Sequence, residues 1–227
     1  MPGDLGADID LQIQLALWKS DLWPIVENAP KYSEDDIFDM LEFLYDHISL
    51  PTKGGYHQFS NCGWHYHKFD RPPGQAEFRA AVNTFLPAYA DGYELSAQGE
   101  ILSKGPDGLS LLFGATIPHP DDDNIVARVR AAERKFRLRG STPDDRRDAV
   151  RDLADVLEYL RPQVKQVLTK KDEGDILELA NRFGIRHHDE DQATDYDKDI
   201  WYSWAFYCYL ATIHASLRLI ERRQGKL

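Results

Sequence analysis

The sequence predicts a mainly α-helical protein of the α+β class, and three observations predict it. Apolar residues recur at helical spacing through most of the chain. Helix-start signals stand ahead of several of those segments. Alternation of period two, the signature of a strand, is confined to a short stretch near residues 92–103. The expected architecture is N-terminal helices with a small antiparallel β-hairpin, followed by a C-terminal helical bundle.

Taken in order, residues 9–29 form the first expected helix, with Leu11, Leu15, Trp18 and Leu22 on one face and Pro24 kinking or ending it. Ser33 has the position of an N-cap, with Asp36 three residues on. The helix that follows, 34–48, carries Ile37, Met40, Leu41, Leu44 and Ile48 as its stripe. Residues 49–74 break the period with Pro51, Gly54, Gly55, Gly63, Pro72, Pro73 and Gly74, so they are expected as a long loop. A helix at 75–90 should turn Phe78, Ala81, Val82 and Phe85 inward. Gly92 to Ser96 and Gly99 to Ser103 alternate around Ala97-Gln98 as a hairpin, and a third strand is expected near Leu109 to Phe113.

Helix returns from Pro120, with Asp121, Asp122 and Asp123 suiting the positive end of the dipole, and stops at Gly140. Thr142-Pro143 is a second start signal, a cap followed by proline in the first turn. The helix after it holds Val150, Leu153, Val156, Leu157 and Leu160 on one face, and Pro162 should kink it. A short helix from Asp172 should end at Phe183, with Gly184 just past it. A polar connector, 187–199, leads to a last helix at 199–222. Its first half is apolar nearly all round, with Ile200, Trp201, Trp204, Phe206, Tyr207 and Leu210, which predicts a central core helix. The Pro/Asp-rich stretch 118–123 is the expected boundary between an α+β part, 1–118, and a helical bundle, 119–227.

Composition narrows the function. The net charge of −11 gives an acidic surface, which repels nucleic acid except where cations cluster. Cys62 and Cys208 are the two cysteines, so free thiols in a reducing compartment are expected. No secretory signal or membrane-length apolar run is visible, and the expected location is cytoplasmic, with no membrane partner. The Gly-rich phosphate loops and the nucleophile elbow are absent, which argues against a kinase, a Rossmann oxidoreductase or an α/β-hydrolase. No cofactor is expected.

Three constellations remain. Arg182, Arg186, His187 and His188 lie within seven residues. Imidazoles that exchange protons near neutral pH, beside guanidinium groups that hold phosphate oxygens, suit metal-free cleavage of a phosphodiester. The structural alternative is a loop tied down by Asp189, Glu190 and Asp191. A second group, the basic run Arg128, Arg130, Arg134, Lys135, Arg137 and Arg139, followed by Arg146, Arg147 and Arg151, reverses the local sign of charge and could hold phosphates. From it Arg128, Arg134, Arg137 and Arg139 are the candidate nucleic-acid contacts. The alternative is a solvated helix face, with Glu133 and nearby aspartates interleaved. Third, His57, Cys62, His65 and His67 are four potential metal ligands in eleven residues. Their spacing matches no established finger, so an aromatic loop packed on the core, with no bound metal, is the expectation. A zinc-dependent domain is the alternative.

The stretch Arg139–His188, through Asp144-Asp145-Arg146-Arg147-Asp148-Ala149-Val150, Leu153–Leu160 and Asn181–His188, resembles bacterial abortive-infection and phage-defence proteins. These look like the helical superfamily named for higher-eukaryote and prokaryote nucleotide-binding domains. That resemblance covers about the last 90 residues. It implies a metal-independent ribonuclease that works as a homodimer, with RNA as substrate, or a non-catalytic relative that docks on another defence-system protein. The superfamily motif is an arginine, a polar residue, and a histidine five to seven positions after the arginine. Arg182 has His187 and His188 at the right distance but Phe183 beside it, while Arg186 has polar His187 beside it but Asp191, Gln192 and Ala193 at the distance.

Overall fold

The computed structural model describes residues 5–6, 8–106, 108–118, 123–166 and 197–225. It is mainly helical, with two separate two-stranded antiparallel sheets among the described residues. The chain divides into two compact units, Met1–Ser103 and Lys104–Leu227.

In the first unit, α1 (Ile9–Leu17) is capped by Asp8, whose side chain accepts from the Leu11 N–H, and it stops at Trp18 in the left-handed region. The expected helix through residue 29 therefore ends at Leu17, and a single turn, α2 (Ile25–Asn28), forms after the prolyl bond at Pro24. Its buried face also differs from the expected one. Ile9, Ile13 and Leu17 pack with Leu22, Met40 and Phe43, while Leu11, Leu15 and Trp18 are exposed. The helix α3 (Glu34–His47) begins with a reciprocal capping box between Ser33 and Asp36. It serves two apolar clusters at once, giving Met40 and Phe43 to the first, and Phe38 and Tyr45 to a second with Val82, Leu86, Leu95 and Ile101. Ile37, expected on the stripe, is exposed.

The expected loop at 49–74 is a β-hairpin and the start of a helix: β1 (Leu50–His57), β2 (Gly63–Asp70) and α4 (Arg71–Val82). Pro72 and Pro73 stand in the first turn of α4, where a missing N–H costs nothing. Gly74 of α4 packs on Ser49 and Leu50, and an added Cβ would lie 2.6 Å from their backbone. Phe85, expected inward, is exposed, and Leu86 takes the buried place. The second hairpin, β3 (Tyr93–Leu95) and β4 (Ile101–Ser103), forms where the alternation predicts it.

In the second unit the stretch expected as a third strand is a helical turn, α5 (Leu111–Gly114). Phe113 and Ile117 enter the core of this unit, so the chain from Lys104 onward belongs to the bundle rather than to the N-terminal part. The bundle is α6 (Asp123–Arg137), α7 (Pro143–Val164) and α8 (Lys198–Arg223). Thr142 and Asp145 form a capping box at the head of α7. Pro162 lies within its last turn. Phe136 of α6 stacks on Phe206 of α8 at 4.0 Å.

Two contacts set the direction of α7 and α8. Arg146 near the head of α7 meets Asp199 near the head of α8 at 3.4 Å, and Arg223 at the tail of α8 donates to the carbonyl of Gln166, just past the tail of α7. The two helices therefore run parallel. The chain leaves the pair at one end and re-enters it at the other. The expected helix from Asp172 and its Gly184 terminus lie outside the described residues.

The last helix is buried on one side only. Tyr202, Phe206, Tyr209, Leu210, Ile213 and Leu217 are in the core, whereas Trp201 and Trp204 are 38% and 43% exposed. An apolar composition all round predicted a helix covered all round, and that expectation fails at its first two turns.

Candidate functional site

The β1–β2 hairpin carries its side chains in the open. Every residue of β1 and β2 except Leu50, Gly54 and Gly63 is exposed, with Trp64 at 60% and, in the connecting turn, Phe59 at 76%. The expected packing of this segment on the core is thereby overturned. Its two faces differ in chemistry because strand side chains alternate. Tyr56 stands opposite Trp64, and Gly54 opposite Tyr66. The three rings form one face, Trp64 stacked on Tyr66 at 5.8 Å and edge-on to Tyr56 at 6.0 Å. Gly54 is required here, since an added Cβ would stand 2.8 Å from the Tyr66 ring and 2.6 Å from the His65 carbonyl.

The other face belongs to the imidazoles. His65 stands opposite Gly55, and His57 opposite Gly63. A Cβ at either glycine would meet nothing within 4 Å, so this face is open. The tip between the strands is a short helical turn, Phe59–Asn61, with Ser60 and Asn61 at φ 51° and 57° and Gly63 at φ 78°. Two consecutive non-glycine residues in the left-handed region are uncommon in proteins. The curled tip leaves Cys62 beside the imidazoles. Ligand atoms of His57, Cys62 and His65 all lie within 4.8 Å of one another, a convergence of metal-ligand types among the described residues. The His57 and His65 rings stand edge to face at 5.7 Å. His67, the fourth candidate, is one side-chain step further from the tip and outside this group.

The surrounding charge suits a cation only weakly. No Asp or Glu occurs from His47 to Phe69, a run of 23 residues in a chain with 38 acids. Attraction for a metal would have to come from nitrogen and sulfur donors, since no carboxylate stands in the segment.

The basic run is largely spent on structure. Arg130 donates to the carbonyls of Phe113 and Ala115 and to Glu133. Lys135 pairs with Asp152 of α7. Arg137 is only 8% exposed and lies over the Phe113 ring at 4.3 Å, so it faces the bundle interior and is withdrawn from any phosphate. Burial of an apolar stem with its cation on a ring wins over solvation at this site. Arg128 is exposed, bonds Asn124 and borders a shallow pocket of about 250 Å³ with Ala131, Asp152 and Asp155. Two of its four described lining residues are acidic, which disfavours a phosphate there. Arg134 is exposed and Arg139 half-buried.

The bundle also buries Glu133, which the sequence set on a solvated helix face as one alternative, and His214, which the sequence reading passed over. Burial holds the Glu133 carboxyl above its ordinary range, against the pull of Arg130. Burial, with Arg130 and Arg218 nearby, holds the His214 imidazole below its ordinary range. Helical spacing could have flagged both, since each falls among core positions of its own helix.

Arg182, Arg186, His187 and His188 lie outside the described residues. Asp197 caps α8, its side chain accepting from the Ile200 N–H. No protein-family model, curated protein or solved structure matches this chain. Among the described residues no helix is long and apolar enough to cross a membrane.

Proposed function

We propose that the C-terminal unit is a metal-independent endoribonuclease module of the helical superfamily named above, acting in bacterial defence. Its reacting groups are Arg182, Arg186, His187 and His188. The observation that supports this most is the parallel pairing of α7 and α8. The head of α8, whose Asp199 is eleven residues past His188 in sequence, lies beside the Arg146 side chain at the head of α7. Arg146 thereby sets a cation at the end of the bundle to which the segment from Arg182 to His188 leads in sequence.

One imidazole takes the proton of a ribose 2′-hydroxyl, whose oxygen attacks the adjacent phosphorus. The bond from phosphorus to the 5′-oxygen breaks, and a protonated imidazole returns a proton to that oxygen. Arginine offsets the charge on the phosphoryl oxygens. A homodimer doubles the set of groups. The second reading is a non-catalytic dimerisation or docking module for another defence-system protein, and it is favoured by the exposed Ile200, Trp201 and Trp204 on α8.

End-labelled RNA incubated with the full chain, with and without chelator, separates these readings. Cleavage that survives the chelator is expected. Arg186→Ala should lower it by about a hundred- to a thousand-fold, the usual cost of removing one transition-state contact, at an unchanged melting temperature. Cleavage that needs a divalent metal, or that is indifferent to Arg186→Ala, ends the nuclease reading. No cleavage, with self-association lost on Trp204→Asp, supports the docking module instead.

A further inference from the structure

A two-stranded hairpin with both faces in water is marginal by itself, because strand pairing without burial barely offsets the entropy of ordering the chain. The β1–β2 hairpin is anchored at its base by Gly74 against Ser49 and Leu50, but its tip lies eight residues out along each strand. At that tip, and not at the base, His57, Cys62 and His65 converge.

We propose that the tip of the β1–β2 hairpin is a zinc site, with His57, Cys62 and His65 as protein ligands and a fourth position open to water or an exogenous donor. Four observations carry this. The ligand atoms are within 4.8 Å of one another, and a tetrahedral ion with bonds of roughly 2.0–2.3 Å sets its donors about 3.4–3.7 Å apart. Closure of about 1 Å is within the reach of exposed side chains turning about χ1 and χ2. The donors come from both strands and from the turn between them, so one ion ties together the three parts of the tip. The face is clear, because Gly55 and Gly63 oppose the two histidines and leave open space above the backbone. And the curled backbone at Ser60, Asn61 and Gly63 is what holds Cys62 in the group; strain of this kind concentrates where a function needs it.

The donor chemistry selects the metal. Two imidazoles and a thiolate are borderline-soft ligands that suit zinc, while calcium and magnesium are held chiefly through carboxylate oxygens, of which the acid-free segment has none. Binding displaces the thiol proton to solvent, so affinity falls as pH drops. With three protein ligands the ion keeps one exchangeable position, the arrangement found where zinc meets an external ligand rather than serving structure alone.

The test uses the full chain, stripped with chelator and titrated with Co2+ and then Zn2+. One metal per chain is expected, with a dissociation constant on the order of micromolar or tighter. Cobalt should give the near-ultraviolet absorption of a thiolate ligand and the visible bands of four-coordination. Cys62→Ser should abolish the thiolate absorption, and Cys62→Ser, His57→Ala and His65→Ala should each weaken zinc binding at least tenfold. The three side chains are exposed, so circular dichroism and melting of the stripped variants should match the stripped parent. His67→Ala and the double variant His187→Ala/His188→Ala should bind as the parent does. Zinc should slow amide exchange across residues 54–66. The site is refuted by binding well below one metal per chain, by binding indifferent to Cys62→Ser, or by binding lost with His67 or with His187 and His188. RNA cleavage by the stripped chain is read separately and bears on neither outcome.

Discussion

The N-terminal unit contains two antiparallel hairpins built on opposite terms. The short one, β3–β4, has three residues per strand, each of them buried or half-buried. Leu95 and Ile101 are in the core, and neighbouring side chains satisfy its backbone. Asn83 accepts from the Leu95 N–H and donates to the Leu95 carbonyl; Glu42 accepts from the Ile101 N–H; and the Tyr45 hydroxyl donates to the Ala97 carbonyl. Gly99, at φ +86°, lies so close to the Tyr45 ring that an added Cβ would stand 2.5 Å from it. The long hairpin, β1–β2, has eight residues per strand and almost none of this support. Length therefore does not measure how firmly a hairpin is held. Burial and satisfied polar groups do.

The contrast can be tested by stability. Leu95→Ala removes a side chain that is 1% exposed, and it should cost about 2–5 kcal/mol in urea unfolding of the full chain, the range for a deleted core leucine. A cost below about 1 kcal/mol would show that the short hairpin is not the firm one. A smaller effect should come through α3, the helix behind that hairpin. The Asp36 carboxylate is held down at about 2, first by Lys19, whose Nζ is 2.7 Å away, and then by Ser33. A depressed folded pKa means that this stability is complete above the ordinary value of 3.8 and is lost as pH falls from about 4 towards about 2. Asp36→Asn should cost about 1 kcal/mol at neutral pH, most of it from the cap, because the ion pair is partly solvated and screened. Its stability should then change less than the parent's over that acid range. An equal acid dependence in both proteins would remove Asp36 from the account. The smallest effect belongs to the long hairpin. Trp64→Ala, in the absence of metal, should shift global stability by less than about 0.5 kcal/mol, as exposed substitutions do. A loss of several kcal/mol would mean that the aromatic face is covered by something in solution.

The two hairpins were also unequally legible. Residues 92–103 alternate apolar with polar between turn residues, so their chemistry announces a strand with one buried face. In residues 50–70 the alternation is between aromatic and imidazole, as in Trp64-His65-Tyr66-His67, and no residue class marks an inner face because neither face is covered. The prolines and glycines of that stretch then read as a loop. The period of two was present and could have been found by residue class rather than by hydropathy. The metal-ligand types were visible as well, but the grouping of His57 and His65 with Cys62, and not with His67, depends on register and on the curl of the tip.

What the sequence determined by itself was local: the caps at Ser33 and Thr142, the proline-led start of α7, the short hairpin and the helical majority. Each follows from hydrogen bonds and dihedral limits within a few residues, so the information lies in adjacent positions. What only the tertiary structure decided was which of several apolar faces is covered. In α1 both Ile9-Ile13-Leu17 and Leu11-Leu15-Trp18 are apolar rows, and packing against α3 selects the first. In α8 packing on one side leaves Trp201 and Trp204 exposed, and Arg137 of α6 is drawn inward onto Phe113. Burial depends on what lies opposite in space, and a residue's own neighbours in sequence do not carry that information.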